Sequence, residues 1–241
     1  MKIVFVGPTL PDVLDLVSAD VVVKPSAVQG DILRAVRDGA TAIGLIDGGF
    51  EYTAPIWHKE ILYALSLGVT VLGASSMGAL RAAECETYGM IGVGTIFRGY
   101  ASGELVDDAD VALLHGPAEL GSRPITLPLV NVRATLQALT QIGKLHPADA
   151  EMLGVAAEKL FFKQRTWKRI VASAKSACDG NVLEHLLVSA YVDQKRLDAI
   201  ELLRLLHQIP ERRLSPSRLW VFQETTIWQE MCRRFEIAST I

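Results

Sequence analysis

Short apolar segments alternate with amphipathic segments in the first half of the chain. Four apolar runs are rich in β-branched or small residues: Ile3–Val6, Val21–Val23, Ala42–Ile46 and Val69–Leu72. Continuous runs of this kind are typical of parallel strands that are covered on both faces. Between them, Asp31–Val36 and Pro55–Leu67 space their apolar residues for one face of a helix. The alternation predicts an α/β fold with a doubly wound, mostly parallel sheet.

The second half of the chain has a different pattern. From Leu129 onward the apolar spacing is helical, with helix starts near Pro147 and Arg165 and a further helix before Cys232. We therefore predict two regions, an α/β core domain over residues 1–126 and a mostly helical region over residues 127–241.

Polar and small residues follow the predicted strands. They form the segments Gly7-Pro8-Thr9, Lys24-Pro25-Ser26, Asp47-Gly48-Gly49 and Gly73-Ala74-Ser75-Ser76-Met77-Gly78. Ligands of open α/β sheets bind outside the carboxyl ends of the strands. We expect the functional site at this edge, with Thr9, Asp47 and Gly48 among its binding residues.

The segment Ala74–Gly78 is the most informative of the four. It has the pattern of a nucleophile elbow, Gly-x-Ser-x-Gly at a strand-to-helix turn, with Ala74 in place of the first glycine. The amide groups of the following helix would hold an anion or a developing oxyanion. Ser76 is the candidate nucleophile and Ser75 the alternative. The other interpretation is a serine that only caps the helix.

A serine nucleophile needs a base, and two candidates begin the preceding helix. His58 is the simplest base, because imidazole is the side chain suited to proton transfer at neutral pH, and Lys59 would serve if burial lowered its pKa. Asp47 either orients one of them, binds a polar substrate group, or bonds nearby backbone in a turn. Arg81 and Glu84 lie three residues apart on one helix face, which favours an ion pair or, alternatively, a site for a carboxylate-like substrate.

Composition excludes several classes of protein. The three cysteines, Cys85, Cys178 and Cys232, show neither metal-ligand spacing nor a disulfide framework, which favours a reducing cytoplasm. No apolar run is long enough for a membrane span. The net charge of −3 gives no basic footprint for nucleic acid. The glycines of Gly89–Gly94 are not placed as a dinucleotide-binding loop, and Asp107-Asp108-x-Asp110 indicates a solvated turn, so we expect neither a cofactor nor a metal.

Charge is distributed unevenly along the chain. Residues 1–120 contain 7 Lys and Arg against 15 Asp and Glu, whereas residues 121–241 contain 17 against 12. The window Lys159–Arg169 is basic, with Phe161, Phe162 and Trp167 interleaved. It fits either a helix pair with a buried aromatic side or a docking surface for an acidic partner.

Several longer strings resemble the TfuA-like family. They are Gly7-Pro8-Thr9, Gly30-Asp31-Ile32, Ile46-Asp47-Gly48, Trp57-His58-Lys59-Glu60-Ile61-Leu62, the run from Gly73 to Glu84, Gly89-Met90-x-Gly92-Val93-Gly94, and Asp107-Asp108 through His115-Gly116. The resemblance covers roughly residues 5–135.

The resemblance implies a role beside a YcaO-type enzyme, which uses ATP to activate a peptide backbone amide. Together the two proteins exchange the amide oxygen for sulfur in a ribosomally made peptide or a protein. The TfuA-like protein would supply the sulfur by hydrolysing a thiocarboxylated, ubiquitin-like sulfur carrier. In that route Ser76 attacks, His58 or Lys59 accepts its proton, and Arg81 steadies the thiocarboxylate. The alternative is a non-catalytic activator or scaffold that binds the YcaO-type enzyme and recruits a sulfurtransferase or other sulfur donor.

Overall fold

The computed structural model describes residues 1–49, 51–117, 121–174, 179–215 and 219–235. The chain divides into two compact units, residues 1–104 with 198–241, and residues 105–197. The two points at which the chain passes between these units, after residues 104 and 197, differ from the predicted domain boundary between residues 126 and 127. That boundary stays a prediction. No helix among the described residues has the length and apolar content needed to cross a lipid bilayer.

The first unit contains a five-stranded sheet. Its strands are β1 (Lys2–Phe5), β2 (Val21–Lys24), β3 (Ala42–Leu45), β4 (Thr70–Ala74) and β5 (Ile91–Val93). All neighbouring strands are parallel, in the order β2-β1-β3-β4-β5. The predicted parallel α/β fold is confirmed, and all four predicted strands lie within a residue or two of their expected positions.

Helices of the first unit pack on both faces of this sheet. They are α1 (Asp31–Arg37), α2 (His58–Ser66), α3 (Met77–Cys85), α4 (Gly94–Ser102), the part of α9 (Gln194–Gln208) from residue 198 onward, and α10 (Thr226–Arg234). Ile3 and Phe5 belong to an apolar cluster with α1, α2 and α10, whereas Val4 and Val6 belong to a cluster with α9. Successive side chains of a strand point to opposite faces, so a doubly covered strand must be apolar throughout.

Helix α9 shows why the end of the chain belongs to the first unit. Leu202 and Leu206 are fully buried against the second face of the sheet. Asp198 is 2% exposed, and its Oδ2 accepts a hydrogen bond of 2.7 Å from the backbone N of Ile96, near the start of α4. The sheet thus obtains cover for one face from a segment about 100 residues beyond β5.

The second unit is helical. Its helices α5 (Leu129–Gln141), α6 (Pro147–Lys159), α7 (Trp167–Ala174) and α8 (Gly180–Ser189) enclose one apolar core. This core includes Leu136, Leu153, Trp167 and Leu187. The predicted helical character of this part of the chain is confirmed, with α6 beginning at Pro147 as expected.

Candidate functional site

The turn between β4 and α3 has a strained backbone. Ser75 has φ of 71°, in the left-handed region that non-glycine residues seldom adopt. The backbone N of Ser76 donates to the carbonyl O of Ala74 at 2.8 Å, which closes a γ-turn around Ser75. A γ-turn with positive φ is rare and strained. Strain of this kind persists where the surrounding structure over-determines it, often at functional sites.

Two glycines explain how the turn is held. A Cβ at Gly73 would lie 2.1 Å from the carbonyl O of Gly78, and a Cβ at Gly78 would lie 1.8 Å from the carbonyl O of Leu45. Both positions therefore exclude any side chain. Because the backbone of Gly78 lies so close to that of Leu45, the backbone N of Gly78 donates to the carbonyl O of Ile46 at 3.2 Å. This hydrogen bond links the start of α3 to the end of β3.

The two serines of the turn are buried. Ser75 is 0% exposed and its hydroxyl has no hydrogen-bond partner among the described residues, while Ser76 is 5% exposed. The side chain of Ser76 does not cap α3. Three amides of the first turn of α3, those of Gly78, Ala79 and Leu80, already donate to backbone carbonyls. This leaves the amide of Met77 as the candidate donor for an anion.

His58 pairs with the far end of α3. Its Nε2 lies 2.7 Å from Oε2 of Glu84, and the same oxygen accepts from Nη1 of Arg81 at 2.6 Å. Arg81 is 8% exposed and its Nε donates to the carbonyl O of Ile56 at 3.1 Å. Residues 76 and 84 are about 12 Å apart along the helix axis. We call Ser75–Ser76, between β4 and α3, the serine turn. The carboxylate that holds His58 therefore comes from the opposite end of α3 to the serine turn.

This arrangement sets the chemistry of His58 and Glu84. Burial raises the pKa of Glu84, but the hydrogen bonds from His58 and Arg81 outweigh it and leave the pKa below its ordinary value. An ionised Glu84 accepts a proton-bearing Nε2, so Nδ1 becomes the basic ring nitrogen. The side chains of His58 and Glu84 are 43% and 37% exposed, which leaves the pair accessible to a substrate.

The predicted Arg81–Glu84 ion pair is present, but it is not an ordinary surface pair because the side chain of Arg81 is 10% exposed. Lys59, the other candidate base, contacts an aromatic ring. Its Nζ lies 5.2 Å from the ring centroid of Phe222, a cation–π contact.

Asp47 joins the ends of two strands. Its Oδ2 accepts from the backbone N of Gly7 at 2.8 Å and of Thr9 at 3.0 Å, and its Oδ1 accepts from Thr9 Oγ1 at 2.6 Å. In this strand order the topological switch point lies between β1 and β3, where such folds bind ligands. Here the backbone N atoms of Gly7 and Thr9, in the loop after β1, already donate to the carboxylate of Asp47. Gly48 lies beside it, where a Cβ would come within 2.7 Å of Cγ of Met77.

Glu60 is a buried carboxyl group whose burial no local sequence pattern indicates. It is 0% exposed; Oε2 accepts from the backbone N of Gly30 at 2.8 Å and Oε1 from that of Trp57 at 3.2 Å. Helix α2 consequently begins at His58 and not near Pro55 as predicted, since Glu60 satisfies the amide of Trp57, the residue before the helix. The signal was a glutamate at the third helical position, one part of a capping box.

Glu60 makes stability depend on pH. Burial raises the pKa of Glu60 to about 7, although the hydrogen bonds from Gly30 and Trp57 act in the opposite direction. The folded state then holds this proton more tightly than the unfolded state. We expect the free energy of unfolding to fall by about 3 kcal/mol as pH rises from 4.5 to 7 through this group. Urea titrations at several pH values measure this directly.

Glu60→Gln should lack this part of the pH dependence of the free energy of unfolding. The variant should also be less stable at every pH, because an amide can accept only one of the two hydrogen bonds. Glu51→Gln, at an exposed glutamate, is the matched control. Equal pH slopes for the native chain and Glu60→Gln would contradict the assignment.

The described cysteines are unsuited to nucleophilic chemistry. Cys85 is 1% exposed, and burial raises the pKa of its thiol to about 11. Burial also raises the pKa of Cys232. Because the thiolate is the reactive form, neither is suited to carry sulfur as a persulfide. Cys178 lies outside the described residues. Among the described residues, no group of three or more His, Cys, Asp or Glu side chains could hold a metal ion.

A family model described as TfuA-like protein matches residues 47–166. The matched range contains Asp47, His58, the serine turn, Arg81 and Glu84, and it continues into the second unit. No curated protein matches the chain in sequence. The predicted resemblance is confirmed. Through residues 47–166, the chain belongs to the TfuA-like family.

Proposed function

We propose that this protein supplies sulfur to a YcaO-type enzyme in peptide backbone thioamidation by hydrolysing a thiocarboxylated, ubiquitin-like sulfur-carrier protein. The observation that carries the proposal is the accessible His58–Glu84 pair, in which the carboxylate fixes the imidazole and leaves Nδ1 as a base. A carboxylate that orients a histidine is the arrangement of hydrolytic active sites.

The attacking group is water in this proposal. Ser75 and Ser76 are buried, and His58 bonds to a carboxylate from the other end of α3. The Nδ1 atom accepts a proton as the water oxygen bonds to the carbonyl carbon of the thiocarboxylate. The C–S bond then breaks, and sulfur leaves with its electron pair and takes up two protons, one returned by Nδ1 and one from the hydroxyl group that the water has formed. Thiocarboxylate and water thus give carboxylate and hydrogen sulfide.

Lys59 and Arg81 provide the positive charge for an anionic substrate. Both lie in the segments that carry His58 and Glu84, and Arg81 is held in place by the carbonyl of Ile56.

The burial of the serine turn favours a second candidate function. The hydroxyl of Ser75 is fully buried, and the carboxylate of Asp47 already accepts hydrogen bonds from the backbone N atoms of Gly7 and Thr9, so neither group is placed to react with a carrier tail. In that role the chain would be a non-catalytic activator or scaffold that brings a sulfur donor to the YcaO-type enzyme.

The decisive experiment incubates the purified chain alone with a thiocarboxylated sulfur-carrier protein and measures sulfide. The same carrier ending in an ordinary carboxylate provides the blank. Release by the chain alone is the expected result. If sulfide appears only when the YcaO-type enzyme is added, hydrolysis by this chain is refuted and the activator role replaces it.

A further inference from the structure

The carboxyl group of Glu60 connects the starts of two helices. Its Oε2 accepts from the backbone N of Gly30, the residue before α1, and its Oε1 accepts from that of Trp57, the residue before α2. A glutamate at the third position of a helix ordinarily reaches back only to the start of its own helix. The bond to Gly30, 30 residues earlier in the chain, joins α2 to α1 as well. Glu60 is therefore a connection between two elements and not only a cap.

The peptide group directly before His58 is held at both of its polar atoms. This group contains the carbonyl O of Ile56 and the backbone N of Trp57. The carbonyl O accepts from Nε of Arg81 at 3.1 Å, and the backbone N donates to Oε1 of Glu60 at 3.2 Å. Ile56 and Glu60 are 0% exposed, and a buried peptide group needs partners for both of its polar atoms. One side chain from α2 and one from α3 thus fix the orientation of the Ile56–Trp57 peptide group.

The orientation of this peptide group determines where the side chain of His58 lies. His58 is the first residue of α2, and Trp57 before it has an extended backbone with φ of −85° and ψ of 136°. Rotation of the Ile56–Trp57 peptide group changes φ of Trp57 and displaces the first turn of α2 relative to α3. Glu84, the partner of His58, lies on α3 and accepts from Arg81 through the same oxygen. One arginine therefore contacts both the peptide group and the carboxylate on which the position of His58 depends.

A buried carboxyl group is a costly means of holding the start of a helix. Burial raises the pKa of Glu60 to about 7, so ionisation of this group in the folded chain is unfavourable near neutral pH. A serine, threonine or aspartate in place of Trp57 would cap α2 without the burial of a carboxyl group. Such a cap would not join α2 to Gly30. A titratable group that is kept at a cost beside a candidate site indicates a role in that site.

We propose that Glu60 is a positioning residue of the candidate site, which acts on His58 by fixing the Ile56–Trp57 peptide group together with Arg81. The role of His58 as a base rests on the proposed function, whereas its pairing with Glu84 is a property of the structure. Without its hydrogen bond to Glu60, the peptide group is held only at its carbonyl O and can rotate. Nε2 of His58 then loses its fixed contact with Glu84, and the proton of the neutral ring is shared between Nε2 and Nδ1.

The test uses the full chain and follows the imidazole of His58 by ¹⁵N NMR, at a pH above the titration of the ring and with His58→Ala to assign the signals. Glu60→Met keeps the length of the side chain but removes both acceptor oxygens, so it should convert the Nε2-protonated form of the native protein into a mixture of tautomers. Glu60→Gln keeps one acceptor and should give a smaller change, and it serves alone if Glu60→Met does not fold. Sulfide release should fall by about tenfold to 10²-fold in Glu60→Met, in kcat and not in KM, as for a displaced catalytic group.

Leu65→Ala is the matched control. It removes buried apolar contacts from the same helix without touching the Ile56–Trp57 peptide group, so His58 should keep its native tautomer. A single Nε2-protonated form in the folded Glu60 variants would overturn the positioning role. So would an equal mixture of tautomers in Leu65→Ala, because the effect would then be a general loosening of α2.

The NMR and the sulfide measurement together separate this proposal from the proposed function. If the native chain releases no sulfide and the tautomer of His58 still depends on Glu60, hydrolysis is refuted and the positioning role stands. If the native chain releases sulfide and the tautomer is the same in every Glu60 variant, the positioning role is refuted and hydrolysis stands.

Discussion

Replacing His58 with alanine is expected to lower the rate of sulfide release by about 10²- to 10⁴-fold, the usual contribution of a general base. The reason is the pairing of Nε2 with Glu84, which leaves Nδ1 to accept the proton of the attacking water. His58 begins α2 and is partly exposed, so the substitution should leave the fold intact. The measurement is the initial rate of sulfide release from the thiocarboxylated carrier.

The serine variants distinguish the two possible nucleophiles. Ser76→Ala and Ser75→Ala should each retain the rate within about tenfold if water attacks directly, because neither hydroxyl then reacts. A loss with Ser76→Ala as large as that with His58→Ala would show instead that the serine attacks. His185→Ala, at an exposed histidine on α8, controls for the loss of an imidazole. Full activity of His58→Ala would exclude it as the base.

The parallel sheet could be predicted because each strand is covered on both faces. Ile3 and Val4, adjacent in sequence, belong to apolar clusters on opposite faces of the sheet. Every residue of this strand is therefore buried, which produces the continuous apolar run seen in the sequence. Strand β5 could not be predicted from the same signal. It has only three residues, lies at the sheet edge and exposes 42% of Ile91, so its apolar pattern is short and interrupted by Gly92.

The folding back of the C-terminal segment could not be predicted either. Periodicity shows that α9 and α10 are helices, but it does not show which surface they cover. Leu202 on α9 packs against one face of the sheet and Trp228 on α10 against the cluster on the other. These are contacts between residues far apart in sequence. Which helix covers which face depends on the face that is still exposed once the strands have assembled.

At the candidate site, residue types could be predicted but not their partners. The sequence indicated His58, Glu84 and Arg81 through spacing and family strings, yet it could not show that one carboxylate oxygen contacts both of the other side chains. The sequence predicts that Asp47 orients a base, binds a polar substrate group or bonds nearby backbone. The structure pairs it instead with Gly7 and Thr9, about 40 residues earlier. Such pairs follow from strand order, which local patterns do not specify.

Replacing Glu84 with glutamine should lower sulfide release by about 10²- to 10³-fold without unfolding the protein. An amide at this position keeps the size of the side chain but no longer fixes the tautomer of His58, a change that costs about 10⁴-fold in a fully buried triad. The smaller value expected here follows from the exposure of the pair, 43% and 37% for the two side chains.

A readout other than rate separates positioning from general damage at Glu84. In the native protein, ¹⁵N NMR of His58 should show the proton on Nε2, and Glu84→Gln should give a mixture of tautomers. Glu84→Asp should restore part of the rate, while Glu86→Gln, at an exposed glutamate just beyond α3, should change neither quantity. Arg81 donates to the carbonyl O of Ile56 and to Oε2 of Glu84, so it fixes the position of the Glu84 carboxylate. That carboxylate in turn fixes the imidazole of His58. An unchanged tautomer together with a reduced rate in Glu84→Gln would show that Glu84 acts on the substrate and not through His58.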